Sequence, residues 1–457
     1  MKRVLSGFAA ACGGELIGAD AAFNAVLIDS RQCQRGDLFV ALPGTRVDGH
    51  DYVAAAAAAG AAAAVVTHLV AGELPQIIVN DAAVALAQAA AAWRAQFSLP
   101  LVAVAGSNGK TTVKEMLAAI LSRRGATLAT RGNLNNHLGV PLTLFRLDGT
   151  QRSAVVEMGA NQAGDVAALV QLGLPTVGVI TNAGAEHLEG FGDLAGVARA
   201  EGEMVAGLVS DAVAVINADD RFAPLWRSMT RARVLGFGLA AEADFRATDL
   251  ESDVGASGFR NRFQLHTPAG TRSVELALAG EHNVRNALAA AAAASAAGAS
   301  LDEIVAGLAS VRAVPGRLQF QRTAGGAWLI DDSYNANPSS VEAGIEVLAS
   351  LPGRRWLVLG DMAELGAHAE QSHRDAGRFA RQHGVERLDS YGALAALAAE
   401  EFGAGAHRHS DLDELARALQ PQLAGDVRLL IKGSRVNRLE RLVRALTSDA
   451  PAARGVA

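Results

Sequence analysis

The chain has only two cysteines, Cys12 and Cys33, in 457 residues. They make neither a metal-binding spacing nor a disulfide framework, so no staple organises the fold and a reducing compartment fits. Aromatic residues are scarce and the formal net charge is −6, which excludes a basic, aromatic-interleaved nucleic-acid surface. Any anionic ligand must be held by local donors. Long apolar runs are also missing: alanine inflates the hydrophobic fraction, and the runs Ala54–Ala64 and Ala287–Ala297 read as buried helices rather than membrane spans. The start MKRVLSGFAAACGGELIG imitates a secretory signal, but Glu15 interrupts its short apolar stretch. Leu5, Phe8, Ala9, Cys12 and Leu16 fall at helical spacing, which predicts an amphipathic first helix. No strand pattern runs into GxGxxG, so a nicotinamide or flavin site has no support. No period of roughly 20 to 50 residues recurs.

What is present is length enough for two to four domains, at roughly 100 to 200 residues each. Three blocks differ in pattern, with divisions at 1–97, 98–314 and 315–457. The first holds short strand candidates, AVLID and DLFVAL, then a helix from Tyr52, then AAAVVT and QIIVN. The middle block alternates strands and helices through LVAVA, SAVVEM, TVGVIT, AVAVIN and RVLGFG. Between Ala243 and Ala279 short alternating runs predict an antiparallel patch beside a mostly parallel sheet. The third block repeats strand and helix through AWLID, RRWLVLG, RLDSYG, AHRHSD and VRLLIKG, as a doubly wound domain would. The fold class expected is α/β throughout.

The stretch VAVAGSNGKTTVKEMLAAIL, from Val102, is a strand running into a glycine-rich turn and an amphipathic helix. It departs from GxxxxGK(S/T), because Val104 occupies the first glycine position. Backbone N–H groups from Gly106 through Ser107, Asn108 and Gly109 to Thr111 and Thr112 are suited to phosphate oxygens, and Lys110 to the β- and γ-phosphates. Thr111 offers a hydroxyl to magnesium. A plain helix-capping turn is the alternative, and it leaves Lys-Thr directly after Gly unexplained. Glu157, ending SAVVEM, is a second magnesium ligand candidate. After TVGVIT come His187, Glu189, Glu201 and Glu203. By themselves these are more often a structural histidine and a solvated helix face than metal ligands.

The segments DSRQCQRGDLFVALPGTRVDGHDYV, GSNGKTT, NLNNHLGVPLTL, EMGANQAGD, TNAGAEHLEGFG, GEHNVRNALAA, PGRLQ, DDSYNANPSS, LGDMAELG and IKGSR follow one another along the chain. In that order they resemble the cytoplasmic Mur ligases of peptidoglycan synthesis, with folylpolyglutamate synthase as a relative. The family's shortened loop accounts for Val104. DDSYNANPSS, LGDMAELG and KGSR are most similar to the branch that adds D-alanyl-D-alanine, and the DNPR segment typical of the diaminopimelate-adding branch is absent.

The resemblance implies an amino-terminal domain for the UDP sugar, a central P-loop ATPase and a carboxy-terminal Rossmann-like domain for the incoming dipeptide. It implies a cytoplasmic, monomeric enzyme without membrane insertion. ATP would convert the terminal carboxylate of UDP-N-acetylmuramoyl-tripeptide into an acyl phosphate, which the amine of D-Ala-D-Ala then attacks. Two anions must meet for the first step, which calls for Lys110, magnesium and an arginine, by resemblance Arg317. One magnesium would sit on Thr111 and Glu157 and a second on His187 with a following carboxylate. In many relatives that carboxylate is a carbamylated lysine fourteen residues on, and Glu201 stands there.

Further roles follow the same resemblance. Asn283 and Asn286 would meet adenine, although amide capping of a helix start is the plainer use. Asp332 would accept a ribose hydroxyl. Asn335, Asn337, Lys432, Ser434 and Arg435 would face the dipeptide, while Asp361 and Glu364 lie near the same cleft without an assigned step. Ser30 and Arg31 would contact the uridine diphosphate beside a flexible loop at residues 44–50, and Asn133, Asn135 and Asn136 the muramoyl peptide. Two rivals stand against this reading. One is a sibling ligase or folylpolyglutamate synthase, sharing the ATP site. The other is a nucleotide-gated binding protein without turnover.

Overall fold

The structure, a computed structural model, describes residues 3–44, 47–255 and 258–447. Thr45 and Arg46 of the expected loop at 44–50, and residues 448–457 of the expected third domain, lie outside them.

Three sheets follow one another along the chain. The first comprises β1 (Glu15–Ile17), β2 (Val26–Leu27), β3 (Leu38–Val40), β4 (Ala63–Val66) and β5 (Gln76–Ile78). They lie in the order β1, β5, β4, β3, β2, all parallel except β1. Two sequence expectations shift here. The alanine run from Ala54 divides: its helix ends at Ala58, Gly60 turns the chain at φ +87°, and Ala63 and Ala64 enter β4. Alanine favours helix by propensity, but buried strand pairing overrides it. Likewise the first helix stops at Cys12, with Gly13 left-handed behind it, so Leu16 belongs to β1.

The second sheet contains β6 (Leu101–Ala105), β7 (Thr127–Ala129), β8 (Ser153–Glu157), β9 (Val177–Ile180), β10 (Val213–Asn217) and β11 (Arg233–Gly238), all parallel. The antiparallel patch read from the sequence is β12 (Phe245–Gly255), β13 (Gly258–Thr267) and β14 (Gly270–Leu276). The order is β14, β13, β12, β11, β10, β9, β6, β8, β7. The chain leaves β6 where successive strands fall on opposite sides of it, which is where an open α/β sheet forms its crevice. The helix Lys110–Leu121 packs Val113, Met116, Leu117, Ile120 and Leu121 against this sheet. Each such burial contributes about 1.5 to 3 kcal/mol.

The third sheet holds β15 (Gln319–Arg322), β16 (Trp328–Asp332), β17 (Arg354–Gly360), β18 (Arg387–Tyr391), β19 (Ala406–His409) and β20 (Val427–Lys432). Its order is β15, β16, β20, β17, β18, β19, with only β15 antiparallel. The carboxyl ends of β16 and β20 and those of β6, β8 and β9 line one shared cleft. The fold is therefore three α/β domains with mostly parallel sheets. No helix among the described residues is long and apolar enough to cross a membrane.

Candidate active site

The glycines of the loop after β6 are there because nothing larger fits. A side-chain carbon on Gly106, at φ +120°, would lie 2.1 Å from Thr181 Oγ1, and one on Gly109, at φ +86°, 2.3 Å from Asn286 Oδ1. Val104, by contrast, points into the core of the sheet and is fully buried. The first glycine of the longer pattern is not needed, because the tight turn begins after β6 has ended.

The loop differs from the expected phosphate cradle in one respect. Three of its N–H groups already have protein acceptors: Gly106 donates to Glu201 Oε2 (2.6 Å), Ser107 to the carbonyl of Asn182 (3.0 Å) and Asn108 to Asn182 Oδ1 (3.0 Å). The first N–H groups of the helix, from Lys110 to Thr112, have no intrahelical acceptor and remain for an anion. Lys110 folds back over the loop, donating to the carbonyls of Gly106 and Ser107, and stands 3.4 Å from Glu186 Oε1. Burial acts to lower this ammonium, but the summed charge of Glu186, Glu201 and Glu157 outweighs it and raises the lysine above its ordinary value. Burial drives Glu186 above the usual carboxylate range despite Lys110, and pushes Glu201 up to about 7. Glu186 was not among the residues singled out from the sequence, where it reads as one acid in a charged loop.

The magnesium ligands expected by resemblance fall into two cases. Thr111 and Glu157 both line the cleft, which holds about 650 Å³. Glu157 accepts from Asn135 Nδ2 (2.8 Å) through Oε1, while its buried Oε2 has no hydrogen-bond partner among the described residues. An orphaned buried carboxylate oxygen fits a cation ligand. The second pair is engaged elsewhere. His187, at φ +48°, sits 2.8 Å through Nδ1 from Glu364 Oε2 of the third domain, whereas Glu201 is spent on Gly106. No group of three or more His, Cys, Asp or Glu is gathered for a metal among the described residues. A glutamate reaches less far than a carbamylated lysine, and at this length its carboxylate stops at the loop backbone.

The remaining candidates divide between free and engaged. Asn283, Asn286, Arg317, Asp332, Asn335, Asn337, Lys432, Ser434, Arg435, Asn133, Asn135 and Asn136 all line the cleft. Asn286 donates to Asn283 Oδ1 (3.0 Å), and Asn283 to the carbonyl of Ala279 (2.7 Å). Lys432 is no free cation: it is buried, 2.5 Å from Asp332 Oδ2, and donates to the carbonyl of Asn335 (3.1 Å). Ser434 Oγ donates to the carbonyl of Ala336 (3.1 Å). Asn337 caps the helix Pro338–Ala349 and also donates to Asn108 Oδ1 (3.0 Å), while Asn108 donates to Ser339 Oγ (3.0 Å). The nucleotide loop and the third domain are thus bonded directly. His282, also unremarked in the sequence, lines the cleft and is held neutral by burial, its pKa lowered to about 4. Gly106, Glu201, Ser30 and Arg31 do not line this cleft. Arg31 is exposed on the first domain, its guanidinium paired with both oxygens of Asp29 (2.9 Å each).

A shortened phosphate loop, an orphaned carboxylate at the next strand end and a second α/β domain bonded across the cleft describe an enzyme that brings a nucleotide to a second substrate. Comparison with known proteins agrees. Sequence models for the Mur ligase family match at residues 22–123 (catalytic domain), 104–294 (middle domain) and 316–435 (glutamate ligase domain). The chain is 45% identical to UDP-N-acetylmuramoyl-tripeptide--D-alanyl-D-alanine ligase of Escherichia coli K12, covering 95% of this chain and 96% of that one. A crystal structure of MurF from Acinetobacter baumannii superposes with a TM-score of 0.91 at 36% identity, covering 98% and 99% of the two chains. The MurF ligase from Thermotoga maritima in complex with ADP superposes at 0.83 with 27% identity, over 93% and 97%. Matching along nearly its whole length in sequence and in fold, the chain belongs to the Mur ligase family.

Proposed function

We propose that this chain is the ATP-dependent ligase that joins D-alanyl-D-alanine to UDP-N-acetylmuramoyl-tripeptide, releasing ADP and phosphate. The observation that carries this reading is the 45% identity, across 95% of the chain, to the E. coli enzyme of that name. The nucleotide binds at the start of the helix Lys110–Leu121, where helix N–H groups and the Lys110 ammonium meet its phosphates. A carboxylate is a poor acyl donor because an oxide would have to leave. Transfer of the γ-phosphoryl group to the tripeptide carboxylate makes phosphate the leaving group, and the dipeptide amine then displaces it. Lys110 and Arg317 offset the charge of the two anions that meet in the first step. Thr111 and Glu157 would hold magnesium, and the unpartnered Oε2 of Glu157 supports this. When bound, that ion supplies positive charge beside the transferring phosphoryl group.

The amino-terminal block at 1–97 receives the UDP sugar through Ser30 and Arg31, the block at 98–314 binds ATP, and that at 315–457 presents the dipeptide. The enzyme works as a cytoplasmic monomer. Phosphate release with the UDP-muramoyl tripeptide, ATP and magnesium tests the reading. Release is expected with D-Ala-D-Ala and not with single amino acids. Release with a single amino acid would make the chain a sibling ligase, and release without any amine would remove the ligase reading altogether.

A further inference from the structure

Two guanidinium groups converge on the ring of Tyr334. Arg317 Cζ stands 4.5 Å from the ring centroid and Arg435 Cζ 5.8 Å, and all three residues line the cleft. Arg317 is half-buried and forms no ion pair among the described residues. Arg435 is exposed, with Glu440 at 3.5 Å. The ring and the turn that carries Arg317 make one unit. Tyr334 N–H donates to the carbonyl of Gly316 (3.1 Å), and a side-chain carbon on Gly316, at φ +74°, would lie 3.1 Å from Tyr334 Cβ.

An aromatic ring differs from a carboxylate as a partner for arginine. Its face attracts the cation through the ring quadrupole and fixes where the guanidinium plane lies. It does not neutralise the charge or use up the N–H donors. A carboxylate in the same place would compete with any anion that arrived. Arg317, held this way without an ion pair among the described residues, keeps its N–H fork for an anion, while Arg435 would exchange Glu440 at the rim for an incoming carboxylate.

We infer that Tyr334 is a positioning residue shared by the two charged substrates, its ring setting Arg317 toward a nucleotide phosphate and Arg435 toward the carboxylate of the incoming dipeptide. The inference rests on the proposed ligase reaction. One side chain then couples the readiness of two subsites on the same cleft.

Steady-state kinetics, with each of the three substrates varied in turn, test it on Tyr334→Leu and Tyr334→Phe. Tyr334→Leu is expected to raise KM for ATP and for D-Ala-D-Ala, each about fivefold, with KM for the UDP-muramoyl tripeptide moving less than about twofold. Tyr334→Phe, which loses only the hydroxyl, recovers most of both. Tyr334→His, a smaller ring that preserves packing, gives the same pair of rises at reduced size and serves if the leucine variant does not fold. A rise in the ATP value alone would make the ring a nucleotide-stacking surface, and equal rises in all three values would make it packing. Either outcome overturns the shared role. If the wild-type enzyme prefers the dipeptide while both values stay put, only the role of Tyr334 falls. If the wild type uses another amine, the ligase assignment falls, and the ring is judged on ATP and that amine.

Discussion

Two lysine–carboxylate pairs stand on opposite walls of the cleft, and they differ in kind. Lys432 and Asp332 lie 2.5 Å apart and are buried, with the carbonyl of Asn335 a second acceptor for the ammonium. Lys110 and Glu186 are 3.4 Å apart, in a loop whose lysine also holds backbone carbonyls. A short buried pair is costly to break, and it gives up its charge to a ligand only at that cost. A longer pair at the mouth of a helix can exchange its carboxylate for a phosphate. In the proposed reaction one lysine holds the wall together, and the other acts on the nucleotide phosphates.

The sharpest way to break this comparison is to remove each lysine in turn. Lys110→Met is expected to lower ligase turnover about a thousandfold while the melting temperature changes little, because burial, no longer opposed by the ammonium, lets Glu186 and Glu201 take up protons. Phosphate release and a thermal melt on the same preparation check it. A large fall in melting temperature would place Lys110 with the structural pair. Lys432→Met should destabilise the fold by about 3 to 5 kcal/mol, since Asp332 is left buried and unpaired. Urea unfolding measures this, and partial recovery in the double variant with Asp332→Asn would localise the cost to the pair.

A carboxylate beside the working pair gives a smaller, pH-dependent effect. Glu201 keeps its proton up to about 7 in the fold, against an ordinary 4.5. Between those values the native state binds more protons than the unfolded chain. The stability it contributes is thus complete below 4.5 and lost as pH rises through 7. Glu201→Gln keeps an oxygen for the Gly106 N–H and abolishes the dependence. Unfolding curves without nucleotide and with chelator should show the wild type losing up to about 3 kcal/mol relative to the variant across that range. Parallel curves would mean that the carboxylate is already ionised in the fold. The smallest effect is expected away from the cleft. Arg31→Ala should leave the melting temperature where it is and raise KM for the UDP-muramoyl tripeptide about tenfold, with KM for ATP unaffected.

The strands were legible because apolar runs bounded by turns are a local signal, and β6, β8, β9, β10 and β16 all lie where those runs stand. The loop was legible for the same reason, as its glycines, lysine and threonines are contiguous. Pairing was not. Glu186 meets Lys110 from 76 residues away, Glu201 meets Gly106 from 95, and Lys432 meets Asp332 from 100. Nothing local in AEHLEG marks one acid as buried. The family resemblance likewise suggested His187 with Glu201, whereas the fold turns His187 to Glu364 on another domain. Spacing along one chain carries no information about which side chain of a second domain arrives across a cleft.

The two loop glycines have a consequence for anyone seeking to block this enzyme. A compound resting on the backbone of Gly109, with Gly106 buried behind it, would sit on a loop where any added side chain collides with Thr181 or Asn286 at little more than 2 Å. Resistance by substitution at those contacts would carry its own penalty in folding, so escape would have to come from residues farther out along the cleft.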